Sequence, residues 1–409
     1  MSTTDPVRGI EASIRRLAER EQKNAYLVGG TVRDRLLRRR PRDLDVAVEG
    51  DAVAFARAWG RSRGAAVQAS PAFGTASARV PVGGKPFRVD FSSLRAERYA
   101  RPGALPDVSP GTLEDDLKRR DFTVNAMAVP LRGRSRRVID PFGGRKDIRR
   151  RAIRMIHPGS PHDDPTRAYR AVRFALRLGF RIAPGTRRWI DAARRAGAFD
   201  AVSGDRLRRE LRLLFDEQPP ARVAAALARE RLDRAIDPAL AVSAAVRRRL
   251  GRLPAGGAAE EETGFRRAML AWCIDVPGPA RRRIADRLGL TAAARTALLR
   301  IGEERDAAVA LLSSGAPDSE IAFRARSISE EAALAIQSAL PPRDAARFRR
   351  ARRRAAGVRL AIDGEDLKRS GLAAGPAIGR ALDRTWRARV DGRIGPREEL
   401  AFAIREGTR

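Results

Sequence analysis

Cysteine is almost missing from this 409-residue chain: Cys273 stands alone, so no intramolecular disulfide can form. Histidine is as scarce, with His157 and His162 far from that cysteine, which excludes a Cys/His zinc finger. No stretch approaches the roughly 18 apolar residues of a membrane helix, and the opening MSTTDPVRGIEASIRRLAER lacks the apolar core of a signal peptide. A reducing, cytoplasmic setting without a membrane is therefore expected. Neither GxxxxGK[ST] nor GxGxxG occurs, so a P-loop and a Rossmann dinucleotide site are both unsupported. Lysine is rare too: only Lys23, Lys85, Lys118, Lys146 and Lys368 accompany 78 arginines.

What is present is length, apolar content and positive charge. With 43% hydrophobic residues the chain can bury substantial cores, and its length predicts two to four domains. The net charge of +33 makes a long polyanion, nucleic acid above all, the leading partner class. Part of the arginine surplus is equally explained by genome composition, and the runs Arg38 to Arg40, Arg149 to Arg151 and Arg352 to Arg354 read singly as solvated helix faces.

The first 150 or so residues have an α/β texture. An amphipathic helix from Ile10 to Glu19 precedes the strand AYLVGG, the helix TVRDRLLRR and the strand DLDVAVEG; a helix from Asp51 to Gly64 and the strands TASARVPV and FRVDFSS follow. Between Ser92 and Thr112, Pro102, Gly103, Pro106, Pro110 and Gly111 interrupt any periodicity and predict a mobile surface loop of the kind that closes over substrates. From Arg151 onward strands are expected to vanish in favour of helices such as AYRAVRFALRLGF and DRLRRELRLLF. The expected fold class is α+β, a small mixed-sheet head followed by an all-helical remainder.

Asp43 and Asp45, in RDLDVAV, sit at i and i+2 on a predicted strand, so both carboxylates face one side. Two hard oxygen donors so placed suit Mg²⁺ and phosphoryl transfer; an acidic turn capping an edge strand is the plain alternative. Upstream, Gly29 and Gly30 end a strand just before a helix, where backbone N–H groups and the helix N-terminus favour an anion, although such a pair also serves as an ordinary tight turn. Arg33 could grip phosphates there, with Asp34 bracing it. In DDPTRAYRAVRF, Pro165 fits the first helical position and Asp164 the N-cap, a purely structural reading.

YLVGGTVRDRLLRRRPRDLDVAVEG nevertheless resembles the signature of class II template-independent nucleotidyltransferases, the family of CCA-adding enzymes and bacterial poly(A) polymerases. LKRRDFTVNAMAV, DPFGGRKDI, DDPTRAYRAVRFALRLGF and DRLRREL match in the family's order, and IDGEDLKRSGLAAGPAIGRALD resembles the tail of CCA-adding members. Only about 216 to 345 matches weakly. The resemblance implies a catalytic head at 1–150, a nucleotide-selecting neck at 151–216, a helical body at 217–345 and a tRNA-binding tail at 346–409.

It further implies that Asp43 and Asp45 bind two Mg²⁺ ions, with Asp90 of FRVDFSS as third ligand or base, unless that acid simply faces solvent. Arg119, Arg120, Asp121 and Asn125 of KRRDFTVNA would contact ribose and triphosphate, where residue type alone reads a basic turn before a strand. Asp164 and Arg167 would present a Watson–Crick-like edge to the base of CTP or ATP in place of a template, and Arg170 and Arg173 would hold the triphosphate. An Asp carboxylate accepts from the exocyclic amine of C or A, where U and G offer a carbonyl. Two departures stand out: Asp163 replaces a common Glu, and HPGSPHDDP is unusually rich in proline and polar residues. His162-Asp163 lies outside any HD phosphohydrolase context, so no phosphodiesterase or phosphatase activity is expected. DPFGG, from Asp140 to Gly144, reads as structural.

The expected function is addition of C, C and A to the 3′ end of tRNA, with CTP and ATP as substrates. The rivals are a CC-only or A-only enzyme, a poly(A) polymerase and, from another class, a catalytically silent basic RNA-binding protein.

Overall fold

A computed structural model describes residues 6–255 and 262–408. The chain divides into two compact units, Met1–Arg206 and Leu207–Arg409.

In the first unit, α1 (Pro6–Arg20) leads into β1 (Ala25–Val28), α2 (Gly29–Leu36), β2 (Asp43–Val48) and α3 (Ala52–Arg63). Then come β3 (Val67–Ser70), β4 (Thr75–Val82) and β5 (Lys85–Ser93). With β8 (Ala128–Pro130) they form a six-stranded mixed sheet in the order β3-β4-β5-β2-β1-β8, in which β2 and β5 are parallel and the other pairs antiparallel. All four expected strands and the helices between them are present; β3, short and only half apolar, escaped the alternation test.

Period-two alternation gives this sheet two unlike faces. Leu44, Val46, Val89, Phe91, Ala76 and Ala78 are buried on one of them. Trp59 and Phe55 of α3 cover Phe91 at ring-centroid distances of 5.4 and 6.1 Å. Trp59 is fully buried and its indole N–H donates to Ser13 Oγ of α1 at 2.9 Å, which satisfies the one polar atom that burial would otherwise orphan. The opposite face carries Asp43, Asp45, Arg88, Asp90, Ser77 and Gln68.

The 92–112 segment departs from expectation: it is not merely loop. Arg95–Arg98 (β6) pairs antiparallel with Asp107–Pro110 (β7) as a two-stranded ribbon. Its polar, proline-punctuated strands carry little alternation, and cross-strand pairing supplies what local pattern lacks.

Helix α4 (Leu113–Lys118) starts with a capping box between Thr112 and Asp115. The segment Asp140 to Gly144 is a turn, in which the Asp140 carboxylate accepts from the N–H groups of Gly144 (2.6 Å) and Arg145 (2.9 Å) to open α5 (Gly144–Arg149). A Cβ on Gly144 would lie 2.2 Å from the Thr123 carbonyl oxygen, so only glycine fits. After α5, β9 (Ala152–Ile153) and β10 (Arg181–Ile182) pair in parallel, so strands do not end at Arg151 as expected; two-residue strands leave no periodic signal. Between them lie α6 (Ser160–Asp163) and α7 (Thr166–Leu178); α8 (Pro184–Arg195) and α9 (Gly204–Glu217) follow.

The second unit is helical throughout its described residues, from α10 (Pro220–Arg229) to a last helix at Glu399–Gly407. Phe215, Phe265 and Trp272 are buried at its centre, with Phe215 6.4 and 6.2 Å from the other two rings. Among the described residues no helix is long and apolar enough to cross a membrane.

Candidate active site on the sheet of the first unit

Strand register assembles the acids. Asp45 is the cross-strand partner of Asp90 and Asp43 that of Arg88, so three carboxylates and one guanidinium share a face. Arg88 bridges Asp90 at 2.8 Å and Asp43 at 3.7 Å. Burial, and then the Asp43 charge, push the Asp45 carboxyl up to about 6 against the pull of Arg120 and Arg88, with Asp90 adding to the rise. Burial raises Asp90 as well, against its ion pair with Arg88. No group of three or more His, Cys, Asp or Glu side chains is drawn together as a ready metal cage among the described residues. A pair of adjacent carboxylates with a third acid in the next strand is nevertheless the donor set suited to Mg²⁺, which completes its shell with water and substrate phosphates. The raised Asp45 carboxyl is what burial, compounded by neighbouring acids without enough counter-charge, produces.

Thr31, which sequence reasoning missed, fixes the Asp-x-Asp segment against α2. Fully buried, it accepts from the Asp45 N–H at 2.9 Å and donates to the Asp43 carbonyl at 3.3 Å. Gly29 and Gly30 open α2 beside these acids. Gly29 has φ +65°, and a Cβ there would stand 2.9 Å from Arg120 Nη1 and 3.1 Å from Asp45 Oδ2, so the backbone passes flush between a cation and an acid only because the side chain is missing.

A second chain of contacts links α2, α4 and α7. The buried Arg33 donates to Asp34 at 2.8 Å and to the side-chain Oδ1 of Asn125 at 2.6 Å, and the Asn125 amide donates to Asp121 at 3.0 Å. Asp121 receives Nε and Nη2 of Arg170 at 2.9 and 2.6 Å. Although burial pushes the other way, Arg170 and the Asn125 amide hold the Asp121 carboxyl below the ordinary range. Arg119 and Arg120 share one buried acid, Asp116, with closest contacts of 2.6 and 2.9 Å. The signal for Asp116 was present in LEDDLKRR, as an acid three and four residues before two arginines on a helix.

Helix α7 distributes its arginines. Arg167 donates to Ser160 Oγ (2.8 Å) and the Arg119 carbonyl (2.8 Å) and lies 5.8 Å from the Tyr99 ring centroid. Arg33, Arg170, Arg173 and Arg177 all stand between 5.2 and 5.7 Å from the Phe174 ring centroid. Asp164 caps as the residue pattern predicts, one position out of register: Pro165 takes the N-cap place and the Asp164 carboxylate accepts from Thr166 N (3.0 Å) and Oγ1 (2.6 Å). It also pairs with Arg206 at 2.7 Å, and Arg206 donates to the Gly103 carbonyl between β6 and β7 at 2.8 Å. Glu97 of the ribbon accepts from Arg119 at 3.1 Å and Tyr99 at 2.9 Å, and burial pushes the Tyr99 hydroxyl up to about 12. The ribbon thus lies against Arg167 and Asp164 through side chains too far apart in sequence to be matched by pattern.

The sequence-derived site residues therefore fall into one acid cluster (Asp43, Asp45, Asp90) beside Gly29, Gly30 and Arg120, and one arginine-rich network (Arg33, Arg119, Asp121, Asn125, Arg167, Arg170, Arg173), with Asp164 at its edge. Residues 25–154 match the model of the poly A polymerase head domain. Among relatives, the chain is 33% identical over 399 residues to an A-adding tRNA nucleotidyltransferase of Geobacter sulfurreducens, covering 93% of this chain and 45% of that protein. It is 32% identical over 404 residues to a CCA-adding enzyme of Geobacillus stearothermophilus, covering 93% and 92%. The Thermotoga maritima CCA-adding enzyme complexed with tRNA superposes with a TM-score of 0.81 at 26% identity over 99% of this chain and 96% of that one. The chain spans about half the length, or less, of several curated relatives it matches, and nearly all of the Geobacillus protein. A match of that identity from end to end, over a head built on Asp-x-Asp and a Gly-Gly turn, makes the chain a member of the tRNA nucleotidyltransferase family that shares the poly(A) polymerase head.

Proposed function

We propose that this protein adds C and A nucleotides to the 3′ end of tRNA from CTP and ATP, releasing pyrophosphate, in the cytoplasm. The observation that carries this reading is that Asp45, Asp90 and Arg120 line one cleft, with Asp45 and Arg120 standing against the glycine turn of Gly29, so that acids and a cation meet at one opening. Asp43 and Asp45, with Asp90, would hold two Mg²⁺ ions, which when bound acidify the attacking hydroxyl and neutralise charge on the leaving pyrophosphate. In the reaction the RNA 3′ oxygen bonds to the α-phosphorus, the bond from that phosphorus to the bridging oxygen breaks, and pyrophosphate carries away the electron pair. Asp90 either takes the hydroxyl proton or completes the metal shell.

Arg33, Arg120, Arg170 and Arg173 bind the triphosphate, with the N–H groups of Gly29 and Gly30 behind it. Asn125 and Asp121 position Arg33 and Arg170 and meet the ribose, as Arg119 does. Asp164 and Arg167 select the base: the carboxylate accepts from an exocyclic amine and the guanidinium donates to ring acceptors, so U and G leave groups unpaired at about 1–3 kcal/mol each. Helices beyond residue 206 hold the acceptor arm by phosphate and A-form shape.

The A-adding relative matched across 93% of this chain supports a second reading, addition of A alone. Incubating tRNA transcripts that end before CCA, after C and after CC with CTP and ATP, separately and together, separates the two. Extension of all three to a complete CCA end is expected, addition to the CC-ending transcript alone supports the second reading, and no addition anywhere leaves only the RNA-binding one.

A further inference from the structure

Helix α2 separates two surfaces. Gly30 and Arg33 turn toward Asp45 and Asn125, whereas Val32 and Arg35, on the opposite side of the helix, line a cleft of about 1250 Å³. The first half of α1, the segment 38–41 and residues of β8 and the chain after it complete its wall. Among the described residues seven arginines line this cleft and Glu11 is the one acid. Glu11 takes Arg35 at 2.6 Å and Arg15 at 3.4 Å. Arg136 is held through Nη1 against the carbonyls of Gly133 (2.7 Å), Ser135 (2.9 Å) and Pro130 (3.4 Å), which fixes its charge in place without an acid. The guanidiniums of Arg8, Arg38 and Arg39 are exposed and meet no partner in the protein. Arg38 has φ +55° just past the end of α2, where a helix commonly turns on glycine, so its backbone is strained where glycine would not be. No aromatic side chain lines the cleft among the described residues, and Val7 and Val32 in its wall are buried.

We infer that this cleft docks the phosphate backbone of a second RNA helix, separate from the RNA whose 3′ end is extended. The choice of RNA among polyanions rests on the nucleotidyl-transfer reading above. Seven guanidiniums beside one carboxylate repel one another and attract an anion, and their planar forks match phosphate. Arginines just past a helix C-terminus also offset its dipole, which accounts for the run at 38–40 but not for Arg8 and Arg136, brought to the same cleft from other elements. With no aromatic platform, unstacked bases have nothing to stack on, so a free nucleotide or a single strand gains little and a helical backbone gains most. The buried valines leave little for the apolar side of an acidic peptide helix to cover. An RNA 3′ end at Asp45 lies across α2 from this cleft, which assigns the docked helix to another molecule.

The test is fluorescence anisotropy of a short, labelled, blunt-ended RNA duplex titrated with the full-length protein while unlabelled CC-ending tRNA is present at saturation. Wild type is expected to bind the duplex under these conditions. Arg8→Ala/Arg38→Gly/Arg39→Ala should lose at least about ten-fold in duplex affinity, with the slope of log affinity against log salt shallower by about 2 to 3. Its melting temperature should not fall, because glycine relieves the backbone at position 38, and its extension of tRNA in the absence of duplex should match wild type. Arg57→Ala/Arg61→Ala/Arg63→Ala removes the same charge from exposed residues of α3 and should keep duplex affinity within about two-fold. Displacement of the duplex from wild type by tRNA overturns the second site, as does an equal loss in the α3 variant or none in the cleft variant. Polyglutamate that displaces the duplex as readily as unlabelled duplex does overturns the choice of RNA. A wild-type protein that binds the duplex beside tRNA but extends no acceptor supports the cleft and overturns the nucleotidyl-transfer reading instead.

Discussion

Asp45 carries a buried charge that its neighbours oppose, and this has consequences for both chemistry and stability. With the folded carboxyl at about 6 and its ordinary value at 3.8, the folded protein takes up a proton relative to the unfolded chain between those values. The destabilisation from Asp45 therefore grows as pH rises through that window and is complete above it, on the order of 3 kcal/mol at most. Asp45→Asn should raise the melting temperature of the metal-free protein at pH 8 and change it far less at pH 4; calorimetry in chelator checks this, and a lower melting temperature at pH 8 would contradict the repulsion. The same variant should lose more than about a hundred-fold in nucleotide incorporation while tRNA binding, followed by filter retention, persists. Unimpaired incorporation would sink the metal assignment and return the RNA-binding reading to first place. The acid pair was legible in the sequence because alternation alone sets its face. The role of Thr31 was not, since a threonine three residues beyond a strand carries no mark of the bonds it makes twelve and fourteen residues away.

At the scale of elements, the turn from β1 into α2 and the end of α4 are the most constrained. Gly29→Ala combines a left-handed φ with a Cβ pressed between Arg120 and Asp45, and should cost about 1–3 kcal/mol in urea unfolding together with most of the activity. A variant as stable and active as wild type would show that the backbone there can retreat. Asp116 is fully buried and holds both Arg119 and Arg120, so Asp116→Ala, which strands two guanidiniums, should cost about 3–5 kcal/mol and raise KM for nucleotide. Equilibrium denaturation and ATP kinetics decide it. Helices α2, α3 and α7 and the long strands were readable because their periodicity reports which face is buried. The ribbon β6–β7, the edge strand β3 and the two-residue pair β9–β10 were not: their partners, rather than their own patterns, make them strands.

For the whole molecule, a net charge of +33 predicts an RNA affinity set largely by counterion release. Binding of a tRNA transcript, measured by fluorescence anisotropy, should weaken by on the order of a hundred-fold or more between roughly 50 and 200 mM salt. A salt-insensitive complex would mean that the arginines serve the fold rather than the partner, and many do: Asp116, Asp121 and Asp164 each bind an arginine within the protein. Charge counting could not separate those guanidiniums from the ones left for phosphate. Alternation, glycine placement and ordered motifs determined by themselves the α/β head, the helical remainder, the Asp43–Asp45 pair and the family, because each depends on residues near one another in the chain. Only the tertiary structure decided that Asp90 stands beside Asp45, that the ribbon reaches Asp164 through Arg206, and that arginines of α1, α2 and the chain past β8 line one cleft. Those relations depend on strand register and on side chains tens of residues apart, which meet only when burial of the Trp59–Phe91 core fixes the sheet.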